Sequence, residues 1–255
     1  MFTFQGFLSF TIYFALQAFK IASFKSNLTS NMADANSRSI TTNQNGLHEK
    51  LDDIVLKHLN AEFKKPIAEH TLRAFNEVNE KVQAFSGPIV LDSCCGVGES
   101  TANLAQRHPD ALVIGIDKSS HRLDKHDVEY KQDEHGQYIL VQADLNDFWR
   151  LAYQANWQPS HHYLLYPNPW PKAKHIQRRW HGAAVFPFIV KLGGVLEVRS
   201  NWSTYVEEFS RALQLAGVKA DCEAYDSEQA ITPFERKYWA SGQSSTRLVV
   251  TLPRV

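Results

Sequence analysis

The sequence has few cysteines, and their arrangement favours neither a disulfide framework nor a metal site. The three are Cys94, Cys95 and Cys222. An odd number that includes an adjacent pair is a poor basis for disulfide bonds, which indicates a reducing compartment. No CxxC pair or Cys/His ligand spacing occurs, which argues against a structural zinc site. We therefore expect a cytoplasmic protein without a bound metal.

An excess of charge of one sign is also missing, since 27 basic residues balance 27 acidic ones. This balance argues against a protein that coats nucleic acid along its whole surface, but it leaves room for a local basic patch. Such a patch follows a run of prolines in the segment YPNPWPKAKHIQRRWH, residues 166–181. Its sequence predicts a stiff turn followed by concentrated positive charge.

The chain lacks a uniformly apolar run long enough to cross a bilayer, which takes about 20 residues. Residues 2–19 are largely apolar, but no basic stretch precedes them and no small-residue cleavage site follows. The polar residues that interrupt this run are Thr3, Gln5, Ser9, Thr11 and Gln17. Met32 opens an ordinary polar start. We expect residues 1–46 to be a disordered or spurious extension, and no membrane association.

The order of apolar patterns predicts an α/β protein. Two amphipathic helices, separated by Pro66, fit residues 47–87 and form a predicted helical cap. In residues 88–255, short apolar runs alternate with helical patterns, which favours a parallel sheet covered on both faces. The predicted strands are Ile89–Ser93, Leu112–Asp117, Tyr138–Ala143, Tyr163–Tyr166, Val195–Arg199, Val218–Ala224 and Arg247–Leu252. The predicted helices between them are Ser100–Arg107, Ser119–Glu134, Leu145–Tyr153, Ile176–Leu192 and Trp202–Ala216.

Candidate ligand residues lie where three successive predicted strands end. The first strand runs into a glycine loop with Gly96 and Gly98, which let the backbone approach a ligand or simply form a tight turn. A third glycine is missing, so the dinucleotide-binding pattern is incomplete. The next two strands end near Asp117, suited to ribose hydroxyls, and Asp144, suited to an adenine amino group. Each acid could instead cap the following helix.

The combined motifs resemble those of a known enzyme family. The pattern DxxCGxG, GID and ADxxD is similar to that of Rossmann-like S-adenosylmethionine-dependent methyltransferases. Within them, YPNPWPKAKHIQRRW resembles the PDPWPKxRHxKRR signature of the tRNA (guanine-N7)-methyltransferases, and TPFERKYWASGQ at 232–243 resembles their TxFE segment. The resemblance covers residues 88–253 and implies a seven-stranded, mostly parallel sheet whose last strand is antiparallel.

The resemblance also implies a reaction and the residues that perform it. S-adenosylmethionine would be the cofactor, and N7 of a guanine in tRNA would accept the methyl group. The implied cofactor contacts are Asp92, Gly96, Gly98, Asp117 and Asp144. The implied catalytic residues are Asn168, His175, Arg178 and Glu235. The implied substrate contacts are Trp170, Lys172, Lys174, Arg178, Arg179, Asn201, Thr232 and Glu235. We expect no metal and a monomer.

The basic segment suggests how RNA would bind. On a helix, Lys174 and Arg178 would share one face, as would His175 and Arg178–Arg179, and neutralise several phosphates. A solvated helix face is the plain alternative, although so many basic groups without an interleaved acid would repel one another. Trp170 could stack on a base, but an aromatic residue is as readily a core residue.

Two positions depart from the family pattern. Asn168 stands where the family has an Asp between two prolines, and Asn201 stands where it has another Asp. An amide keeps one carbonyl acceptor but loses the charge, and we expect Glu235 to compensate.

The departures leave other functions open. One is a methyltransferase that acts on another RNA or on a small molecule; another is an RNA-binding module of the same fold that has lost catalysis. A NAD-dependent dehydrogenase is disfavoured by the missing third glycine.

Overall fold

A seven-stranded sheet forms the centre of the protein in a computed structural model that describes residues 36–126 and 137–254. The strand order is β3-β2-β1-β4-β5-β7-β6. Neighbours from β3 to β5 are parallel, and β7 is antiparallel to both β5 and β6. The strands are β1 Ile89–Ser93, β2 Leu112–Asp117, β3 Tyr138–Gln142, β4 His161–Leu165, β5 Gly194–Ser200, β6 Cys222–Tyr225 and β7 Ser245–Leu252. The prediction of a mostly parallel sheet with an antiparallel last strand is confirmed.

The helices of the described residues cover both faces of this sheet. They are α1 Leu51–Leu59, α2 Glu69–Ala84, α3 Glu99–Arg107, α4 Ser120–Leu123, α5 Leu145–Gln154, α6 Phe186–Lys191, α7 Ser203–Leu215 and α8 Pro233–Ala240. Helix α1 buries Leu51 and Val55, and α2 buries Phe75 and Val78, so each turns one apolar stripe inward. The two helices of residues 47–87 therefore share the core of the sheet.

The sheet separates two apolar clusters, because alternate strand residues point to opposite faces. The larger cluster takes in Leu91, Ile114 and Leu164. The smaller one takes in Val90 and Val113 and lies beneath α3 and α8. Strands β1 and β2 are buried along their whole length, as expected of strands covered on both faces.

The continuous helix predicted for residues 176–192 is wrong. Instead, two 3₁₀ turns at Ala173–Arg178 and Trp180–Gly182 precede the short helix α6. Pro187 lacks the N–H that a helix would direct to residue 183. At Gly182 the backbone lies so close that a Cβ atom would be 2.3 Å from the carbonyl oxygen of Ile176.

Other differences concern segments with weak apolar patterns. Helix α8 was not among the predicted helices, and α4 is shorter than predicted; residues 127–136 lie outside the described residues, as do 1–35. Residues 36–46, predicted to be disordered, instead form hydrogen bonds to distant parts of the chain. Over the described ranges, no helix has the length and apolarity to cross a membrane, and no group of His, Cys, Asp and Glu could hold a metal ion.

The strand order reverses next to β1, which lies between β2 and β4. Ligands of open α/β sheets bind beyond the carboxyl ends of the strands at such a point. This edge of the sheet is therefore where the chemistry is expected.

Candidate active site

A cleft of about 690 Å³ opens at the carboxyl ends of β1 to β4. Five of the predicted site residues line it together: Asp117, Asp144, Asn168, Trp170 and Arg178. Other groups lining it were not among the predicted residues: Lys118, Arg122, Tyr166, Gln177, Phe234 and Tyr238. The fold thus brings the acidic strand ends and the loop that follows β4 to one place.

The glycine loop joins β1 to α3 and lines the cavity next to the cleft. Gly96 and Gly98 have φ values of +63° and +82°, in the left-handed region that glycine enters without steric cost. Gly98 directly precedes α3, and a Cβ atom there would lie 2.7 Å from Nδ1 of His126. Cys94 is left-handed as well, with φ 66°, and burial raises the pKa of its thiol to about 12. A thiol that stays protonated is not a nucleophile at neutral pH.

Asp117 is largely buried at the end of β2, with hydrogen bonds that fix its orientation. Its Oδ2 accepts from the backbone N–H of Gly96 at 3.0 Å and from Arg122 at 3.4 Å, while its Oδ1 accepts from the N–H of Ser119 at 2.8 Å. A carboxylate has about four acceptor positions. One remains for the hydroxyl of a ligand in the cleft.

Asp144 caps α5 and also lines the cleft. Its Oδ1 accepts from the backbone N–H of Asn146 at 3.0 Å, and its Oδ2 lies 3.3 Å from Nζ of Lys118. Burial opposes ionisation, but the hydrogen bonds from Asn146 and the charge of Lys118 prevail and lower the pKa of Asp144. Helix capping and ligand contact are therefore compatible at this residue.

Asp92 is buried beside the glycine loop in β1. Its Oδ2 accepts from Ser100 at 2.6 Å and Thr101 at 2.7 Å, but its Oδ1 has no hydrogen-bond partner within residues 36–126 and 137–254. Burial raises the pKa of Asp92 to about 6, against the opposing effect of the two hydroxyl groups. A buried oxygen of this kind is costly unless something donates to it.

A side pocket of about 380 Å³ adjoins the cleft and shares Cys94, Arg122 and Phe234 with it. The glycine loop, Glu99 and Lys125 also line this side pocket. Together the two cavities present the carboxylates of Asp117 and Asp144 in the cleft and charges of both signs in the side pocket. These groups fit an elongated ligand with a ribose in the middle and a zwitterionic amino-acid group at one end, as S-adenosylmethionine has.

The loop that follows β4 holds two strained residues. Tyr166 and Trp170 have φ values of 51° and 47°, which cost roughly 1–2 kcal/mol each for a residue with a Cβ atom. Asn168 lies between them with its Oδ1 accepting from the N–H of Trp170 at 3.3 Å, and Tyr166 is tied to Ser245 through a 2.7 Å hydroxyl contact. Such strain persists only where the surroundings enforce it, and it clusters at functional sites.

The basic groups continue this loop. Lys172, Lys174 and Arg178 are exposed, and the Arg178 guanidinium lies 4.7 Å from the centre of the Trp170 ring. Desolvation and the positive charges of Arg178 and Lys174 lower the pKa of His175. The protonated, charged form of His175 is therefore disfavoured. Three cations next to the mouth of the cleft form a small positive patch.

Comparison with known proteins identifies the family of this chain. The family model described as "Putative methyltransferase" matches residues 86–248. The chain belongs to this methyltransferase family.

Curated relatives of this methyltransferase are tRNA (guanine-N(7)-)-methyltransferases, which confirms the resemblance seen in the motifs. The one from Nitrosospira multiformis is 28% identical over 131 residues, which are 50% of this chain and 57% of the relative. The one from Nitrosomonas europaea is 22% identical over 177 residues, 65% of this chain and 77% of the relative. The one from Thermotoga maritima is 28% identical over 170 residues, 64% of this chain and 53% of the relative. The matches thus span about half to three quarters of these relatives.

Solved structures confirm the fold of the methyltransferase. The 16S rRNA methyltransferase KamB has a TM-score of 0.53 and 16% identity, over 74% of this chain and 95% of that one. An antibiotic-related methyltransferase has a TM-score of 0.51 and 16% identity, over 77% of this chain and 98% of that one. The Rossmann-like methyltransferase fold is therefore shown.

Arg179 is not part of the exposed patch of this methyltransferase, contrary to the prediction that it contacts substrate. Its side chain is fully buried, and Nη1 donates to Oε2 of Glu208 at 2.5 Å. The break in the predicted helix is the reason, because Arg179 joins the two 3₁₀ turns with extended backbone and points inward. A phosphate cannot reach it.

Glu235 and Thr232 hold α8 in place and do not line the larger cleft, although Thr232 lines the side pocket. Thr232 is the N-cap, and its Oγ1 accepts from the N–H of Glu235 at 2.9 Å. Glu235 is fully buried, with its carboxylate accepting from Arg199 at 2.6 Å and from the N–H of Ile231 at 2.8 Å. The prediction that Glu235 faces a guanine is wrong, because the capping turn directs it into the core while Phe234 faces the cleft.

Asn201 also lies away from the cleft lining. Its Nδ2 donates to Oε1 of Gln243 at 2.8 Å. Of the two positions that depart from the family pattern, only Asn168 is within the cleft. Among the lining groups missed from sequence, Arg122 had a readable signal, since it lies in the first helix after Asp117.

Proposed function

We propose that this protein transfers a methyl group from S-adenosylmethionine to N7 of a guanine in tRNA. The observation that carries the proposal is the single cleft shared by Asp117, Asp144 and the loop with Asn168 and Trp170, with the exposed Arg178 at its mouth. The names of the curated relatives support it. We further propose that the enzyme is cytoplasmic, in line with the tRNA methyltransferase names of its relatives, and that it works as a monomer.

The residues of this chain would hold the cofactor by complementary groups. S-adenosylmethionine supplies the electrophilic methyl group. Asp117 retains an acceptor position for the ribose hydroxyls, and Asp144 presents its carboxylate near the same part of the cleft. In the side pocket, Arg122 and Lys125 suit a carboxylate. Gly96 and Gly98 let the backbone approach, and Asp92 holds Ser100 and Thr101 at the start of α3, directly after this loop.

The chemistry at guanine makes modest demands on the protein. N7 already carries a free lone pair, so no side chain has to remove a proton. The main tasks are to align N7 with the methyl group and to exclude water. Trp170 offers an aromatic face for stacking, and the stiff loop between Pro167 and Pro171 loses little entropy when a base docks.

Positive charge develops on the purine during transfer, and a nearby acceptor stabilises it. Asn168 is the polar side chain of the loop within the cleft, and an amide provides this stabilisation more weakly than a carboxylate. Glu235 cannot supply the missing charge directly, since it is buried against Arg199. Lys172, Lys174 and Arg178 are placed to bind phosphates of the RNA backbone.

The decisive experiment is mass spectrometry of nucleosides from tRNA incubated with the protein and isotopically labelled S-adenosylmethionine. We expect label in 7-methylguanosine. Label in a different nucleoside, or in none, would contradict the proposal, and label in another RNA would redirect it to that substrate.

A single-turnover comparison then tests the role of Asn168. Asn168→Asp should raise the rate severalfold, about what a charge-assisted hydrogen bond adds, because the charge on the purine exists only in the transition state. Asn76→Asp, an exposed change on α2, is the matched control for the added charge. A slower Asn168→Asp enzyme would remove this residue from the guanine site.

A further inference from the structure

Glu208 in α7 is the centre of a polar cluster next to the active site, in which Glu208, Arg179 and His181 are fully buried. Its Oε2 accepts from Arg179 at 2.5 Å and from His181 at 2.9 Å. Its Oε1 accepts from Gln44 at 2.6 Å and from the backbone N–H of His48 at 2.9 Å. Burial opposes ionisation, but the partners prevail and lower the pKa of Glu208 to about 2. The carboxylate is charged and accepts four hydrogen bonds, so it ties α7 to residues 44–48 and to residues 179–181.

Arg179 also binds the backbone of the loop that follows β4. Its Nε donates to the carbonyl oxygen of Trp170 at 3.2 Å, and its Nη2 reaches the carbonyl oxygen of Lys172 at 3.4 Å. Its guanidinium also stacks 4.8 Å from the ring centre of Trp202. A single buried cation therefore fixes the backbone on the far side of Asn168, at the strained residue Trp170.

Residues 42–44 close over the same loop from outside. Thr42 Oγ1 donates to the carbonyl oxygen of Pro171 at 2.6 Å, and Asn43 Oδ1 accepts from the N–H of Ala173 at 3.0 Å. Gln44 bridges the buried pair, with its Oε1 accepting from Arg179 at 3.1 Å while its Nε2 donates to Glu208. Three consecutive side chains thus bind the loop or the arginine behind it.

The preceding residues are fixed at the end of α8. The N–H of Ser37 donates to Oγ of Ser241 at 3.0 Å, and its carbonyl oxygen accepts from Nε2 of Gln243 at 3.0 Å. Gln243 also accepts from Asn201. Residues 37–44 therefore run from the end of α8 to the loop after β4, and connect the two segments that carry the family motifs.

We propose that residues 37–44 are a strap which, anchored on Arg179 and Glu208, holds the loop after β4 in the conformation that presents Asn168 and Trp170 to the cleft. Arg179 is a positioning residue in this arrangement. The role in methyl transfer depends on the proposed function, whereas the restraint on the loop does not. A loop with two left-handed residues relaxes when its bonds are removed, and activity falls with the fraction that remains competent.

Gln44→Ala is the test variant, because it removes the bridge and leaves the Arg179–Glu208 pair intact. Thr42→Val is a second, independent variant. Asn45→Ala is the matched control, since Asn45 is an exposed neighbour in the same segment. Limited trypsin digestion of the full chain, with cleavage sites mapped by mass spectrometry, measures restraint on the loop at the exposed Lys172 and Lys174.

We expect cleavage at Lys172 and Lys174 to be about fivefold faster in Gln44→Ala and in Thr42→Val than in Asn45→Ala, the population change that follows loss of about one net hydrogen bond. Single-turnover methyl transfer should also fall, by at most the same factor, because the competent fraction cannot change by more than the opening equilibrium does. Cofactor affinity measured by calorimetry should stay unchanged. A merely structural defect would instead raise cleavage at all sites and weaken cofactor binding.

The outcomes separate the two proposals. Loop cleavage equal to the control in both variants would overturn the strap. Faster loop cleavage with undiminished methyl transfer would overturn its positioning role. A third outcome is that neither the wild-type protein nor any variant transfers a methyl group to tRNA, while loop cleavage in the two strap variants is faster than in Asn45→Ala. In that case the proposed function fails and the restraint on the loop stands.

Discussion

Glu235→Gln separates a structural role of this residue from a catalytic one. The carboxylate holds Arg199 at 2.6 Å and the N–H of Ile231 at 2.8 Å, both in the buried interior. Glutamine has the same shape but one acceptor oxygen, so one of these two donors must face an amide NH₂ group. Arg199 keeps its second partner, Glu197, at 2.6 Å, which limits the loss.

The expected loss of unfolding free energy follows from these contacts. One charge-assisted hydrogen bond is worth about 1.5–3 kcal/mol, and a donor left unsatisfied in the interior adds about 1 kcal/mol. We therefore expect Glu235→Gln to lower the free energy of unfolding by about 2–4 kcal/mol, measured by urea denaturation at pH 7. Cofactor affinity of the folded protein should stay within about twofold, because Glu235 does not line the cleft.

Glu228→Gln is the matched control, an exposed glutamate before the same helix, and its stability should lie within about 0.5 kcal/mol of wild type. The reasoning is refuted if Glu235→Gln is as stable as this control while methyl transfer falls by about 100-fold. That result would require direct contact between Glu235 and the reacting groups.

Three further predictions test the site and the core. Asp117→Ala should weaken S-adenosylmethionine binding by about 2–3 kcal/mol in calorimetry, and unchanged affinity would remove Asp117 from the cofactor site. Lys174→Ala combined with Arg178→Ala should reduce the slope of log binding constant against log salt concentration for RNA by about 1.5. An unaltered slope would mean that these side chains form a solvated surface that does not contact RNA. Burial lowers the pKa of His162 from 6.5 to about 3, so its contribution to stability is full above pH 6.5 and is lost as the pH falls toward 3. His162→Gln should reduce the pH slope of the unfolding free energy by about one proton at pH 4–6, and equal slopes would contradict the buried neutral ring.

The sheet could be read from the sequence because its strands are continuous apolar runs with polar ends. The same patterns located Asp117 and Asp144. Their proximity follows because parallel strands bring their carboxyl ends to the same edge of the sheet. The prediction of a continuous helix over residues 176–192 was wrong because it followed the pattern of apolar residues and gave too little weight to Gly182 and Pro187, which interrupt a helix.

Two site features could not be predicted, because they depend on tertiary contacts. Arg178 and Arg179 are adjacent and chemically identical, yet one lines the cleft mouth and the other is buried beside Glu208, 29 positions later in the chain. The strap has no apolar periodicity at all. It is fixed by polar side chains that bind backbone groups about 130 positions away, as for Thr42 and Pro171, and such pairs leave no local pattern.

The unequal division of the core by the sheet bears on how ligands enter and leave. Helix α8, which contributes Phe234 and Tyr238 to the cleft, rests on the smaller apolar cluster, whereas α5 and α7 pack on the larger one. Less buried area per residue means a lower free energy of local opening. We expect the amide protons of α8 to exchange with solvent well before those of α7, so that the wall of the cleft opens as a unit while the rest of the sheet stays closed. Cofactor and product would then exchange at the rate of this opening, independently of global unfolding.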